Sequence, residues 1–280
     1  MGRNKHGLSR HIPKAVKEQV RELCGFGCII CGGIPYDYDH FETEFHECTE
    51  HSVNNIVLLC DKHHREKGSI GVGVIKEYLT KVSLDGRDVT FDPSILTDEF
   101  KIIWPSITIG SAEHNILIDG EEILRISKTG NTLNPIHLNG VFYDDEGTKI
   151  CSIKENQITA HQNELGDIEC VNFRFKMTAK SGNSILTFRM EPRQLIIEEI
   201  FLVKNSAFVI ADQSRFIVGN GDHYGDFTNA VMHGNRHGVI LHSGVKSLRF
   251  IDRNLYLPRM SMSARGSLII GNGGAAVMFG

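Results

Sequence analysis

Hydrophobic positions repeat with a helical period only near the start of the chain. In PKAVKEQVRELC, residues 13–24, apolar side chains recur at Val16, Val20 and Leu23, and Pro13 stands where a first turn tolerates a missing N–H. The GFG that follows predicts a stop. Residues 28–34 and 36–41 read as a knuckle and a β-strand, and 42–53 as a loop. Asn54 or Asn55 opens a second predicted helix over NIVLLCDKHHREKG, with Gly68 as its stop. VIKEYLTKV, residues 74–82, predicts a third short helix.

Past residue 100 the period changes to that of strands. Runs such as KIIWPSITIG, NILIDGEEILRIS, CVNFRFKMTA and QLIIEEIFLV alternate or run apolar between turn pairs such as Asp119-Gly120. Residues 101–280 are therefore expected to be all-β. FIVGNG and LIIGNG hint at internal repetition, which leaves a sandwich or a solenoid-like stack as the architecture. Between the two regions, residues 83–100 set Arg87 alone against Asp85, Asp88, Asp92, Asp98 and Glu99, the composition of a solvated acidic linker. The expected fold class is α+β, with a small module over 1–82, a linker over 83–100 and a larger all-β accessory domain over 101–280.

The formal charge of −4 gives no overall pull toward nucleic acid or an anionic surface. Its distribution says more. Residues 1–21 carry Arg3, Lys5, Arg10, Lys14, Lys17 and Arg21 against Glu18 alone, whereas residues 37–50 carry six carboxylates and no Lys or Arg. No run is long and apolar enough for a membrane span, and the basic N-terminus lacks the apolar core of a secretory signal, so a cytoplasmic protein with no membrane partner is expected. Seven cysteines, five of them within the first sixty residues, argue in a reducing compartment for metal binding over disulfides.

Cys28-x-x-Cys31 and Cys60-x-x-His63 are two ligand pairs of matched spacing, suited to one tetrahedral structural Zn²⁺. Cys24 falls on the apolar side of the first helix and reads as core, and Cys48 has a poorer spacing for zinc. If His63 is a zinc ligand, His64 is left over, because neighbouring residues on a helix point about 100° apart. Tyr38-Asp39-His40 supplies a further carboxylate and imidazole upstream, and Asn55 lies between them.

His40, Asn55 and His64, bracketed by the cysteine pairs and followed by Lys67, resemble the HNH (ββα-metal) endonuclease family with a zinc knuckle. The phrases YDH and NNIVLLCDKHHREK look like that family's strand, loop and helix, and IPKAVKEQVRELCGFGCIICG looks like its lead-in. The likeness covers residues 10–68 and departs from the family pattern where His63 replaces a second cysteine. It implies a phosphodiester hydrolase in which His40 is the general base, Asn55 orients the His40 loop, and Asp39 and His64 hold a catalytic divalent ion. Mg²⁺ or Mn²⁺ suits such a site, and the imidazole admits Ni²⁺ or Zn²⁺. Double-stranded DNA is the expected partner, with Arg65, Lys67, Arg10 and Lys14 as phosphate contacts. By the same analogy the biological setting is defence against foreign DNA.

The other reading is a zinc knuckle without catalysis that binds nucleic acid or acts as a scaffold. The β region is expected to oligomerise, sense or recognise a target, and the apolar, Gly-rich SLIIGNGGAAVMFG suggests edge strands that join copies of the chain into a homo-oligomer. His223, His233, His237 and His242 match no compact ligand set, and GNGDHYG lacks the Lys-Ser/Thr ending and following helix of a phosphate loop.

Overall fold

The computed structural model describes residues 2–85, 88–97, 99–104, 107–110, 113–118, 121–144, 146–160, 165–205, 207–214, 216–220, 223–228, 230–233, 237–241, 247–251, 254–256, 259–262, 266–271 and 274–279. Strands dominate and helices are few, as in a mixed α+β class. The chain divides into two compact units. The first holds Met1–Asp92 with Gln157–Thr159 and Asp167–Phe173; the second holds Pro93–Asn156, Ala160–Gly166 and Arg174–Gly280.

In the first unit, helix α1 (Lys14–Leu23) begins after Pro13, as the sequence predicts. It ends where Gly25 and Phe26 take positive φ values of 65° and 64° and their N–H groups bond back to Glu22 and Arg21 carbonyls. Val20 and Cys24 face inward, but Leu23 is exposed, and Arg21, which the periodicity leaves on the polar face, is buried. The Arg21 guanidinium donates to Asp167 at 2.8 and 2.5 Å and to the Tyr38 hydroxyl at 2.6 Å, so a buried charge is paired rather than stranded. These bonds, with one from the Tyr36 hydroxyl to the Ile168 carbonyl at 3.1 Å, tie the late segment Asp167–Phe173 into the unit.

Strand β1 (Gly33–Ile34) follows the knuckle, and β2 (Asp37–His40) pairs antiparallel with β3 (Ile56–Leu59), setting Asp39 opposite Val57 and His40 opposite Ile56. Here the second predicted helix is corrected. Its IVLL portion is a strand whose four residues are all buried, and the helix α2 (Asp61–Glu66) starts only at the Cys60 cap. Four apolar residues in a row suit a strand covered on both faces, and periodicity over so short a run does not separate that from a helix. Helix α3 (Val72–Asp85) is longer than predicted and buries Ile75 and Val82.

Residues 83–100 differ from the solvated connector expected of them. Strand β4 (Val89–Phe91) pairs in parallel with β1 and antiparallel with Gln157 and Ile158, and it buries Val89 and Phe91. Asp88 accepts hydrogen bonds from Gln157 Nε2 at 2.8 Å and Thr159 Oγ1 at 2.9 Å. The alternation of buried Val89 and Phe91 about exposed Thr90 decides the strand.

The second unit is built of strands among its described residues, as expected of 101–280. Hairpin neighbours pair antiparallel, as between Ser184–Glu191 and Gln194–Lys204. Parallel pairings join distant segments: Ile107–Gly110 with Ala230–His233, and Glu113–Ile118 with His237–Leu241, at one constant spacing along the chain. Phe175 and Phe188 stack at 4.7 Å in its core. Of the C-terminal pair expected to be edges, Gly266–Gly271 ends its sheet's strand order, while Gly274–Phe279 is paired on both sides.

Candidate metal centre and the adjoining histidine site

The cluster of Cys28, Cys31, Cys60 and His63 is assembled by two local devices. Around Cys28 the chain turns tightly: Gly32 N–H bonds to the Cys28 carbonyl at 2.8 Å and Cys28 N–H to the Gly33 carbonyl at 3.0 Å. A Cβ at Gly27 would lie 2.5 Å from the Gly32 oxygen, so only glycine closes this turn. Ile29 N–H then bonds to the Leu58 carbonyl at 2.8 Å and pins the turn to β3. Cys60 caps α2, and His63 follows one helical turn later.

The four donor atoms lie within 4.8 Å of one another. Cys31 and Cys60 sulfurs are 3.9 Å apart, and His63 Nδ1 is 3.3 Å from both Cys28 and Cys60 sulfurs. Tetrahedral zinc with ordinary bond lengths requires roughly 3.8 Å between sulfurs and roughly 3.6 Å from sulfur to nitrogen. The donor set and its spacing therefore fit Zn²⁺. Hydrogen bonds from Cys31 and then Cys60 hold the Cys28 thiol well below the usual range, and the same bonds to Cys28 push Cys31 and Cys60 up. Three sulfurs this close do not all ionise unless a cation stands among them. Among the described residues this is the one group of three or more such side chains so arranged. None of the seven cysteines is in a disulfide.

His64 turns the other way. Its Nδ1 lies 2.7 Å from Asp39 Oδ2, on the face of α2 toward β2. The remaining oxygen of Asp39 accepts from Lys67 Nζ at 2.9 Å, and that ammonium also reaches the His40 carbonyl at 2.8 Å and Glu44 at 3.0 Å. Lys67 was expected on phosphate; the structure turns it inward onto carboxylates one helical turn past His64. Burial works against its charge, but the bonds to Asp39 and Glu44 outweigh this and raise its pKa above the ordinary lysine value.

His40 is 7% exposed at the end of β2. Burial first, and then the neighbouring His51, lower its pKa and favour the neutral ring at pH 7. Its Nε2 is 3.3 Å from His51 Nδ1. Asn55 staples the chain leaving His40: its Oδ1 accepts from Glu42 N–H at 2.9 Å and Thr43 N–H at 2.8 Å, and its Nδ2 donates to the Thr43 carbonyl at 2.8 Å. Asn54 is exposed and takes no comparable place. With several hydrogen bonds at stake, Asn55→Ala is expected to lower unfolding free energy by about 1–3 kcal/mol in urea denaturation, with Asn54→Ala nearly neutral.

The other expected contacts are more scattered. Arg65 pairs with Asp61 on the exposed side of α2 at 2.6 Å, and Lys14 with Glu18 at 3.5 Å. Arg10 lies over the Phe45 ring, 5.1 Å from its centroid. Cys48 stays outside the metal cluster, with its thiol on the Thr43 carbonyl at 3.3 Å. His51, which the sequence leaves either to the loop or to a further metal contact, lies with its Nδ1 beside His40 Nε2. His242 lies outside the described residues. No described helix is long and apolar enough to cross a membrane. The chain matches no family model, no curated protein and no solved structure.

Proposed function

We propose that the first unit is a metal-dependent endonuclease of the HNH (ββα-metal) type that hydrolyses phosphodiester bonds in DNA. The observation that carries the reading is the division of labour between adjacent imidazoles, His63 among three sulfurs and His64 on Asp39. A strand–strand–helix run through β2, β3 and α2 supports it, as does a buried, neutral-leaning His40 next to Asp39. His40 accepts the proton of the attacking water, because an imidazole is the side chain best matched to that transfer near neutral pH. Asn55 fixes the backbone that carries His40. Asp39 and His64, one carboxylate and one imidazole, suit Mg²⁺ or Mn²⁺ and also Ni²⁺ or Zn²⁺, an ion that would supply charge stabilisation at the phosphate and the departing 3′ oxygen. Lys67 holds Asp39 turned toward α2 through its bond to Oδ1.

A second reading has its own support. The Lys67 ammonium already neutralises Asp39, and Glu42, Glu44, Glu47 and Glu50 crowd the loop that follows His40. That arrangement suits a zinc-held binding or scaffold unit that cuts nothing. Zinc-loaded full-length chain incubated with supercoiled plasmid separates the two. Nicking that requires added Mg²⁺ or Mn²⁺ is expected; intact plasmid whose mobility is retarded in a gel would establish the binding unit instead.

A further inference from the structure

His51 Nε2 lies 2.8 Å from the main-chain carbonyl of Ser9. A carbonyl oxygen only accepts, so Nε2 of His51 carries the hydrogen. In the neutral ring Nδ1 is then a bare acceptor, and the atom 3.3 Å from it is Nε2 of His40. That contact is satisfied only if His40 Nε2 donates, which leaves the lone pair of His40 on Nδ1. The order is thus fixed along one line: Nε2–H of His40 to Nδ1 of His51, and Nε2–H of His51 to the Ser9 oxygen.

The surroundings hold His51 in that role. Phe45 stacks on its ring at 6.1 Å with an interplanar angle of 12°, and the same Phe45 lies against His40 at 5.5 Å. The arm that carries Ser9 is itself anchored, since Asn4 Nδ2 donates to the carbonyls of Phe45 and Cys48, each at 2.7 Å. Arm, loop and strand end therefore form one hydrogen-bonded body around the two rings.

We propose that His51 is the positioning residue that sets the tautomer and ring orientation of His40, presenting Nδ1 of His40 as the proton acceptor. The Ser9 carbonyl in turn sets His51. This rests on the hydrolytic reading of His40 for its consequence, but not for its geometry. A base in the wrong tautomer loses most of its use, and a partner that fixes an imidazole is commonly worth 10–100-fold.

The test has two arms on zinc-loaded, full-length protein without added Mg²⁺ or Mn²⁺ in the first. In the first arm, nitrogen-15 spectra of the histidine rings should show wild-type His40 as the Nε2–H tautomer, and His51→Phe should release it into a mixture. In the second arm, with Mn²⁺, His51→Phe should cut plasmid about 10–100-fold more slowly at unchanged DNA retardation. His51→Gln, whose carboxamide oxygen can still accept from His40, should recover much of the rate. A wild-type His40 protonated on Nδ1, or a tautomer indifferent to His51→Phe, would overturn the proposal. Wild-type protein with the expected tautomer that cuts nothing would support the pairing and overturn the hydrolytic reading.

Discussion

His40→Ala is expected to slow plasmid nicking by about 10²–10⁴-fold, the range that a positioned general base supplies. The expectation is specific because the rest of the site does not hang on this ring. Lys67 bonds to the main-chain carbonyl of His40, and Asn55 holds the backbone that follows, so removal of the imidazole leaves both supports in place. Asp39 keeps its bonds to His64 and Lys67. DNA retardation should therefore survive, and the loss should appear in the cutting step. His46, an exposed residue of the same loop, gives the control: His46→Ala should leave the rate alone. The measurement is a time course of supercoiled, nicked and linear plasmid with Mn²⁺. Nicking by His40→Ala within a few-fold of wild type would remove His40 from the chemistry and with it the proposed reaction.

What the sequence reveals of this site divides by distance along the chain. The sulfur ligands are legible because each pair is local: Cys28 and Cys31 share one turn, and Cys60 and His63 one turn of helix. The split of His63 and His64 is legible for the same reason, since helical rotation alone separates adjacent side chains. His51 is not, because its place depends on a main-chain carbonyl, Ser9, which any residue would offer. The inward turn of Lys67 depends on Glu44 and Asp39 arriving from a loop and a strand. Arg21 reads as part of a polar helix face until Asp167 is brought to it from far along the chain. The domain boundary fails for a related reason: Gln157–Thr159 and Asp167–Phe173 join the first unit by strand pairing and by the Arg21 and Tyr36 bonds, neither of which leaves a local mark.

Withdrawal of the structural metal should have the largest effect on the fold. The described helices α1, α2 and α3 all lie in the first unit, whereas Trp104, the chain's single tryptophan, lies in the second. Helical circular dichroism and tryptophan emission therefore report on different units. The sulfurs join a turn at Cys28 to the start of α2, across β3, and structural zinc in such small modules contributes about 10–16 kcal/mol of apparent binding free energy. That is as large as the total stability of an ordinary domain, about 5–15 kcal/mol. Chelation, or Cys28→Ser, should thus remove most of the helical signal and bound zinc should fall from one per chain, while Trp104 emission holds its wavelength. Cys48→Ser, which touches no metal ligand, should retain zinc and helix. The physical reason is that loss of one thiolate leaves an incomplete tetrahedron and the remaining close sulfurs repel on ionisation. A helical signal that persists without zinc would show that β3 and its apolar neighbours suffice, and the cluster would then be a metal site carried by the fold instead of one that holds it together.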